Sequence, residues 1–261
     1  MTQSRIRVEI SDDIGELILN KPERRNALSS DMWAAIPDLV AELENDASVK
    51  TVILHGGSAG AFAAGADISE FETIYATSES ARHSADLISA AVTSLARCRK
   101  PVIAAIEGSC VGGGVSLALT ADIRVASSIS KFGVPPAKLG LVYPIDDTRR
   151  LIDTVGVPAA KDILLTGRLF DCAEAHRIGL VTRIVEEGHA LQAAKDTAKL
   201  IAQNSLWSHG AMKRTFDAVK AGWKDDSPEA KALFLESFEN VDFQEGYKAF
   251  LEKRKPAFSY R

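Results

Sequence analysis

Residues 104–126 read AAIEGSCVGGGVSLALTADIRVA, and their order decides the fold class. The apolar run Val102–Ile106 is the length of a buried strand. Gly112, Gly113 and Gly114 follow, and they open the apolar run 115–120. A second strand-like run covers residues 122–126. Strand, glycine bend, helix and strand in about 25 residues predict a βαβ-type unit with parallel pairing.

The same grammar extends in both directions. Upstream, residues 51–54 form another short apolar run, followed by the glycine-bearing bend AFAAGADI at 61–68 and a helical stretch over 81–97. Downstream, residues 181–185 give one more strand. At the N-terminus, Ile6, Val8 and Ile10 alternate, and a second apolar run ends at Leu19, so a turn at Asp12-Asp13 predicts an antiparallel hairpin. From Ser30 the period becomes helical, with Met32, Ile36, Leu39, Val40 and Leu43 on one stripe and Pro37 inside it. Beyond Glu187 the strand signal ends. Helices are expected at 189–203, 209–220, 228–240 and 245–253, the third opened by the Ser227-Pro228 start signature. Residues 1–190 are therefore read as an α/β core and 191–261 as a helical region. The latter carries large apolar residues, among them Leu233, Phe234, Phe238, Phe243, Phe250 and Leu251, that need a surface to pack on.

Composition narrows the function classes. The chain has 261 residues, 31 Lys+Arg against 35 Asp+Glu and a formal charge of −4, which argues against a nucleic-acid partner. No window offers the ~18 apolar residues of a membrane span, and MTQSRIRVEI lacks the apolar centre of a signal peptide. A soluble, cytoplasmic protein whose mature chain starts near Met1 is expected. Cys98, Cys110 and Cys172 have neither disulfide-framework nor zinc spacing, so no metal is expected.

A glycine cluster at the start of a helix lets backbone approach a ligand and leaves N–H groups at the positive helix end. Such donors suit a phosphate or a developing oxyanion. The dinucleotide spacing fails at Leu117, the P-loop lysine is replaced by Val115, and the nucleophile elbow GxSxG fails at Ala118. Tight helix–strand packing explains such clusters equally well.

Four segments in order, NKPERRNALSSDM (20–32), FAAGADISEF (62–71), residues 104–126 and FGVPPAKLGLVYPIDDTRRL (132–151), resemble the enoyl-CoA hydratase/isomerase (crotonase) superfamily. The resemblance runs to EGYKAFLEKRKPAF at 245–258. It implies a spiral of ββα units, a C-terminal helical region that forms a homotrimer or a dimer of trimers, and an acyl-CoA substrate. Coenzyme A then belongs to the substrate, with no separate cofactor. Two backbone N–H groups would hold the thioester oxygen, here those of Ala66 and Gly113. The CoA body would lie against Arg25, Asn26, Ala27 and Leu28 and the backbone near Ala64, Asp67 and Ile68. Phe250 and Lys253 would reach it from a neighbouring subunit. Arg25 and Lys253 would meet CoA phosphates.

The chain departs from the hydratases of that family, which use two glutamates. Ser116 and Pro136 stand at those positions, and neither is a general acid or base near neutral pH. Residues 142–147, VYPIDD, offer other groups, and PPAKLGLVY is similar to the methylmalonyl-CoA decarboxylase branch, whose tyrosine would match Tyr143. Loss of CO2 leaves a thioester enolate without any base. Asp146 or Asp147 could instead act as the acid or base, unless Arg149 and Arg150 tie both into surface ion pairs. Ser116 would be a nucleophile only with a base beside it. Glu107 reads as a turn or helix-end contact, and His55 as a satisfied polar group. The segment 71–83 is expected to form a loop or helix over the acyl pocket. Three functions follow: an enolate-forming enzyme using Tyr143 or Asp146, a hydratase/isomerase with substitute acids, and an acyl-CoA-binding protein with little catalysis.

Overall fold

In the computed structural model, which describes residues 4–224 and 227–259, strand alternation divides one sheet between two cores. The sheet is formed by β1 (Ile6–Ser11), β2 (Ile14–Leu19), β3 (Thr51–His55), β4 (Val102–Ile106), β6 (Ile123–Ser127) and β9 (Arg183–Val185), in that spatial order. Only the β1–β2 hairpin is antiparallel; the remaining pairs are parallel. The expected hairpin and the largely parallel sheet are both present.

Successive side chains of a strand point to opposite faces. Leu17, Leu19, Val52, Leu54, Val102, Ala104 and Ile106 therefore join one core with Met32, Ile36 and Leu43 of α1 (Ser30–Asn45). Ile14, Ile53, Ile103 and Val125 join the other, beneath Ala190, Ala194 and Ala198 of α7 (Ala190–Ala202). Alanine at every fourth position gives α7 a flat stripe that seats close to the sheet. Burial on both faces explains why these strands read as unbroken apolar runs.

Helix α7 also has a long-range cap. The Glu107 carboxylate, just past β4, accepts the Ala190 N–H at 3.0 Å. This is the helix-end contact expected of Glu107. A carboxylate on a free N-terminal donor contributes about 0.5–2 kcal/mol. Glu107→Ala is expected to lower stability by about 1 kcal/mol, measured as a shifted urea midpoint with an unchanged slope.

Several boundaries differ from the sequence reading, each for a local reason. Helix α3 (Ser78–Ala96) begins earlier than residue 81, because Thr77 and Ser80 form a reciprocal capping box. Before it lies the short helix α2 (Phe71–Ile74), so the segment 71–83 is helical at both ends. Helix α8 (Leu206–Lys220) starts at a Ser205 cap, three residues before the expected start at 209. Asn240 ends α9 (Pro228–Glu239) and caps α10 (Val241–Leu251), so α10 begins well before residue 245. Ser227 caps α9 as expected, accepting the Ala230 N–H. Pro37 sits inside α1 without ending it, because the stripe Met32, Trp33, Ile36, Val40 and Leu43 is buried along the whole helix.

A second sheet escaped the sequence reading. β5 (Ser109–Val111) pairs parallel with β7 (Lys131–Gly133), which pairs antiparallel with β8 (Phe170–Asp171). Strands of two or three residues carry too few alternations to register as a pattern. This small sheet sets the approach to helix α4 (Gly113–Ala118). After it come α5 (Ile145–Thr166), broken at Gly156 with φ 76° and ψ 160°, and α6 (Cys172–Arg177). Among the described residues no strand follows β9, and no helix is long and apolar enough to cross a membrane.

Candidate active site

The two glycine bends lie against each other. Residues 63–67 run between residues 25–28 and β5. Ala63 N–H donates to Ser109 O and Val111 N–H to Ala63 O, both at 3.0 Å. On the other flank, Ala64 N–H donates to Arg25 O at 3.0 Å, Leu28 N–H to Gly65 O at 2.7 Å and Asp67 N–H to Leu28 O at 2.9 Å. The Gly65 carbonyl and the Asp67 N–H thus both face Leu28. In extended backbone the N–H between them points the opposite way, and that N–H belongs to Ala66. It has no backbone acceptor among the described residues.

On the second bend, Gly112 takes φ 52° and ψ −113°, a combination open to glycine alone, and donates to Gly133 O at 2.8 Å. Gly113 follows as the first residue of α4, where an N–H has no acceptor within its own helix. A β-carbon on Gly112 would lie 3.8 Å from the Gly65 α-carbon, so the bends meet backbone to backbone. One on Gly113 would press on Trp33 and Leu28 at 3.0 and 3.1 Å. Ala66 and Gly113 are thus both neighbours of Leu28, the first through its main chain and the second through its side chain.

One helical turn after Gly113, Ser116 falls on the same face of α4. Its hydroxyl donates to Asp147 Oδ2 at 2.8 Å and lies 2.8 Å from the Tyr143 hydroxyl. The serine has one proton and gives it to the carboxylate, so Tyr143 is the donor in the second bond. Ser116 is 2% exposed and Asp147 3%, and Arg150 stands 3.3 Å from Asp147 Oδ1. Burial pushes the Asp147 carboxyl above its ordinary range, with the Ser116 hydrogen bond and the Arg150 charge pulling back. Burial, reinforced by the Asp147 charge, also drives the Tyr143 hydroxyl upward.

Asp146 does not share this site. Its side chain is 55% exposed and faces Arg149 at 3.9 Å, so the surface ion pair anticipated for both aspartates holds for Asp146. The expectation that Asp146 faces the pocket is corrected in favour of its neighbour. Helical phase is the reason. Asp147 and Leu151, four residues apart, lie on the buried stripe of α5, and Asp146 is off it. Pro136 opens a 3-10 turn, Pro136–Leu139, and its carbonyl accepts the Leu141 N–H at 3.0 Å.

The comparisons with known proteins agree along the whole chain. The sequence model of the family described as enoyl-CoA hydratase/isomerase matches residues 9–261. The chain belongs to the enoyl-CoA hydratase/isomerase family. A crystal structure of a protein from Hyphomonas neptunium assigned to that family superposes with a TM-score of 0.97 at 58% identity, covering 99% of this chain and 98% of that one. An enoyl-CoA hydratase/carnithine racemase structure from Magnetospirillum magneticum gives a TM-score of 0.94 at 34% identity, covering 100% and 97%. The short-chain-enoyl-CoA hydratase of Clostridium acetobutylicum is 35% identical over 98% of this chain and 97% of its own length.

For this family member, the residues expected to meet CoA divide by exposure. Arg25, Ala64 and Ile68 are exposed, Ala27 is half-buried, and Leu28 and Asp67 are buried. Phe250 and Lys253 stand exposed at the end of α10. The Asp67 carboxylate points inward, to Lys21 Nζ at 2.5 Å and to the Ser69 hydroxyl and N–H, so its side chain is turned away from a ligand on the exposed side of the bend. Lys21 gave no signal in the sequence reading, because a lone lysine beside a proline looks like turn surface. The histidines stay apart: His55 pairs with Glu16 and accepts the Gly57 N–H, and His176 and His189 bond nearby carbonyls. Among the described residues Ser116 has Tyr143 and Asp147 as hydrogen-bond partners and no histidine.

Proposed function

We propose that this chain acts on an acyl-CoA thioester through an enolate whose oxygen is held by the N–H groups of Ala66 and Gly113. The single proton exchanged with the acyl chain would pass along Tyr143, Ser116 and Asp147. With Asp147 protonated, the two hydrogen bonds reverse. Asp147 gives its proton to Ser116, Ser116 to Tyr143, and Tyr143 to the substrate carbon. Two donors at the oxyanion would stabilise the enolate, each lowering the barrier by ~2.7–4 kcal/mol.

The observation that carries this reading is the Ser116–Asp147 hydrogen bond between α4 and the first turn of α5. Hydration needs one group to activate water and another to protonate carbon. Ser116 and Pro136 occupy the positions where the family resemblance places glutamates, so Asp147 is left as the one carboxylate of this cluster. One proton carrier suits a double-bond shift, or protonation of an enolate formed by loss of CO2. A second reading, ordinary hydration, is favoured by the relative named as a short-chain-enoyl-CoA hydratase. It requires Asp147 to activate water and a further acid. The exposed apolar side chains Phe216, Phe234, Phe250 and Leu251 support assembly through the C-terminal helices, with a trimer as the expected state.

Product analysis after incubation with crotonyl-CoA, a β,γ-enoyl-CoA and methylmalonyl-CoA separates the readings. A shifted double bond or released CO2 is expected, with crotonyl-CoA hydrated slowly or not at all. Fast hydration of crotonyl-CoA overturns the proposal. Binding of all three esters without turnover favours an acyl-CoA-binding protein instead.

A further inference from the structure

Beside the Ala66 bend lies a buried ion pair that the chemistry described above does not use. Lys21 is 4% exposed and Asp67 8%, and Lys21 Nζ reaches Asp67 Oδ2 at 2.5 Å. The other oxygen of Asp67 accepts the Ser69 hydroxyl at 2.6 Å and the Ser69 N–H at 3.1 Å. Buried pairs of this kind bring little net stability, since apolar residues of similar volume usually do as well. The location of this one is informative. Asp67 is the residue directly after Ala66, and Lys21 belongs to the segment on which Ala66 leans through Leu28.

The lysine end is itself fixed. Lys21 N–H donates to Asn26 Oδ1 at 2.8 Å, and Lys21 O accepts the Asn26 N–H at 2.9 Å. Asn26, fully buried, directs its amide nitrogen at Gly56 O, Ala61 O and Phe62 O, at 2.9–3.1 Å. Arg25 and Asn26 both have left-handed φ, 50° and 55°, a conformation that persists only where neighbours hold it. Glu70, at the far end of the bend, accepts the N–H and hydroxyl of Ser30 at 2.8 Å each. The peptide carrying the Ala66 N–H is therefore anchored on both sides, while that N–H has no backbone acceptor among the described residues.

We propose that the Lys21–Asp67 pair is a positioning device that aims the Ala66 N–H at the thioester oxygen. The pair touches neither substrate nor CoA; it acts through the peptide between residues 66 and 67. The inference rests on the reading of Ala66 as an oxyanion donor. Its signature is a change at the carbonyl without a matching change in CoA affinity.

The test uses the full-length protein, crotonyl-CoA carrying 13C at the thioester carbonyl, and difference infrared spectroscopy. Hydrogen bonding to that oxygen lowers its stretching frequency. Lys21→Met combined with Asp67→Asn removes both charges together, so no unpaired charge is left buried. Asp67→Asn alone, whose amide oxygen can still accept from Ser69, is the second variant. Bound ester on the wild type is expected to show a lowered frequency, and at least one folded variant to lose most of that shift. The dissociation constant of free CoA is measured on each variant, and the loss of carbonyl shift is expected to exceed what any change in that affinity explains. A shift retained in every folded variant, or lost only in step with CoA affinity, overturns the positioning role and leaves the Ala66 reading standing. Failure of both variants to fold marks the pair as structural and overturns it too. An unshifted carbonyl on the wild type overturns the Ala66 reading itself, and the role of the pair with it.

Discussion

Asp147→Asn is expected to lower kcat by about 10²–10⁴, the usual contribution of a general acid–base group, on whichever ester the wild type turns over. KM should change little, because the carboxylate is buried and hydrogen-bonded to Ser116. Asparagine preserves the shape and can still accept the Ser116 hydroxyl, so what it removes is the proton. Asp146→Asn is the control one residue away. Its carboxylate points outward to Arg149, and activity should remain close to wild type. Equal losses in the two variants would mean that both act through the helix start of α5, and the relay would be wrong.

The same variant carries a stability signature with a defined sign. Burial raises the Asp147 pKa above the ordinary 3.8, so the folded state holds its proton at pH values where the unfolded chain has released it. As pH rises through that window the unfolded state binds fewer protons, and wild-type stability falls. Asp147→Asn cannot titrate. Its urea midpoint should therefore gain on wild type as pH climbs from 3.8 toward the folded-state pKa, with the difference constant beyond it. A wild type that gains on the variant over this range would place Asp147 in a site that favours its charge, contrary to the burial seen here.

The residues that were legible in sequence are those whose signal is local and repetitive. β3 and β4 were legible because burial on both faces left unbroken apolar runs. Gly112–Gly114 stood out because few other arrangements need three glycines at a helix start. The link between Ala66 and Gly113 was legible only through family resemblance; nothing in either bend names Leu28 as the residue that borders both. Asp147 was half legible. Its i, i+4 relation to Leu151 selects it over Asp146, but only once the start of α5 is known, and Pro144 with two acidic residues allows more than one phase. Lys21–Asp67 was invisible, being a contact across 46 residues between two types normally found at the surface. The sheet of β5, β7 and β8 was hidden by its short strands.

Gly108→Ala is expected to be strongly damaging for a single added methyl group. Gly108 has φ 60°, and a β-carbon there would stand 2.2 Å from Gly60 O and 3.1 Å from Gly60 C. No rotamer relieves this, since the obstacle is main chain. A left-handed alanine costs roughly 1–2 kcal/mol, and forcing two backbones apart typically adds 1–3 kcal/mol, so about 2–5 kcal/mol of stability should be lost. The loss should not stay local. Residues 60–62 lead directly into the Ala66 bend, Gly108 leads into β5 and the Gly113 bend, and Lys131 N–H donates to Gly108 O at 3.0 Å. Parting the two segments at this point separates the bends that place both candidate oxyanion donors. At a temperature where the variant is still folded, kcat should therefore fall beyond the loss in folded fraction. Gly60→Ala is the internal control: Gly60 also has positive φ, 61°, but its β-carbon would meet nothing within 4 Å. It should show the conformational cost alone, with kcat per folded molecule unchanged. If Gly108→Ala and Gly60→Ala prove equally mild, the close approach of the two segments is not what holds the donors in place.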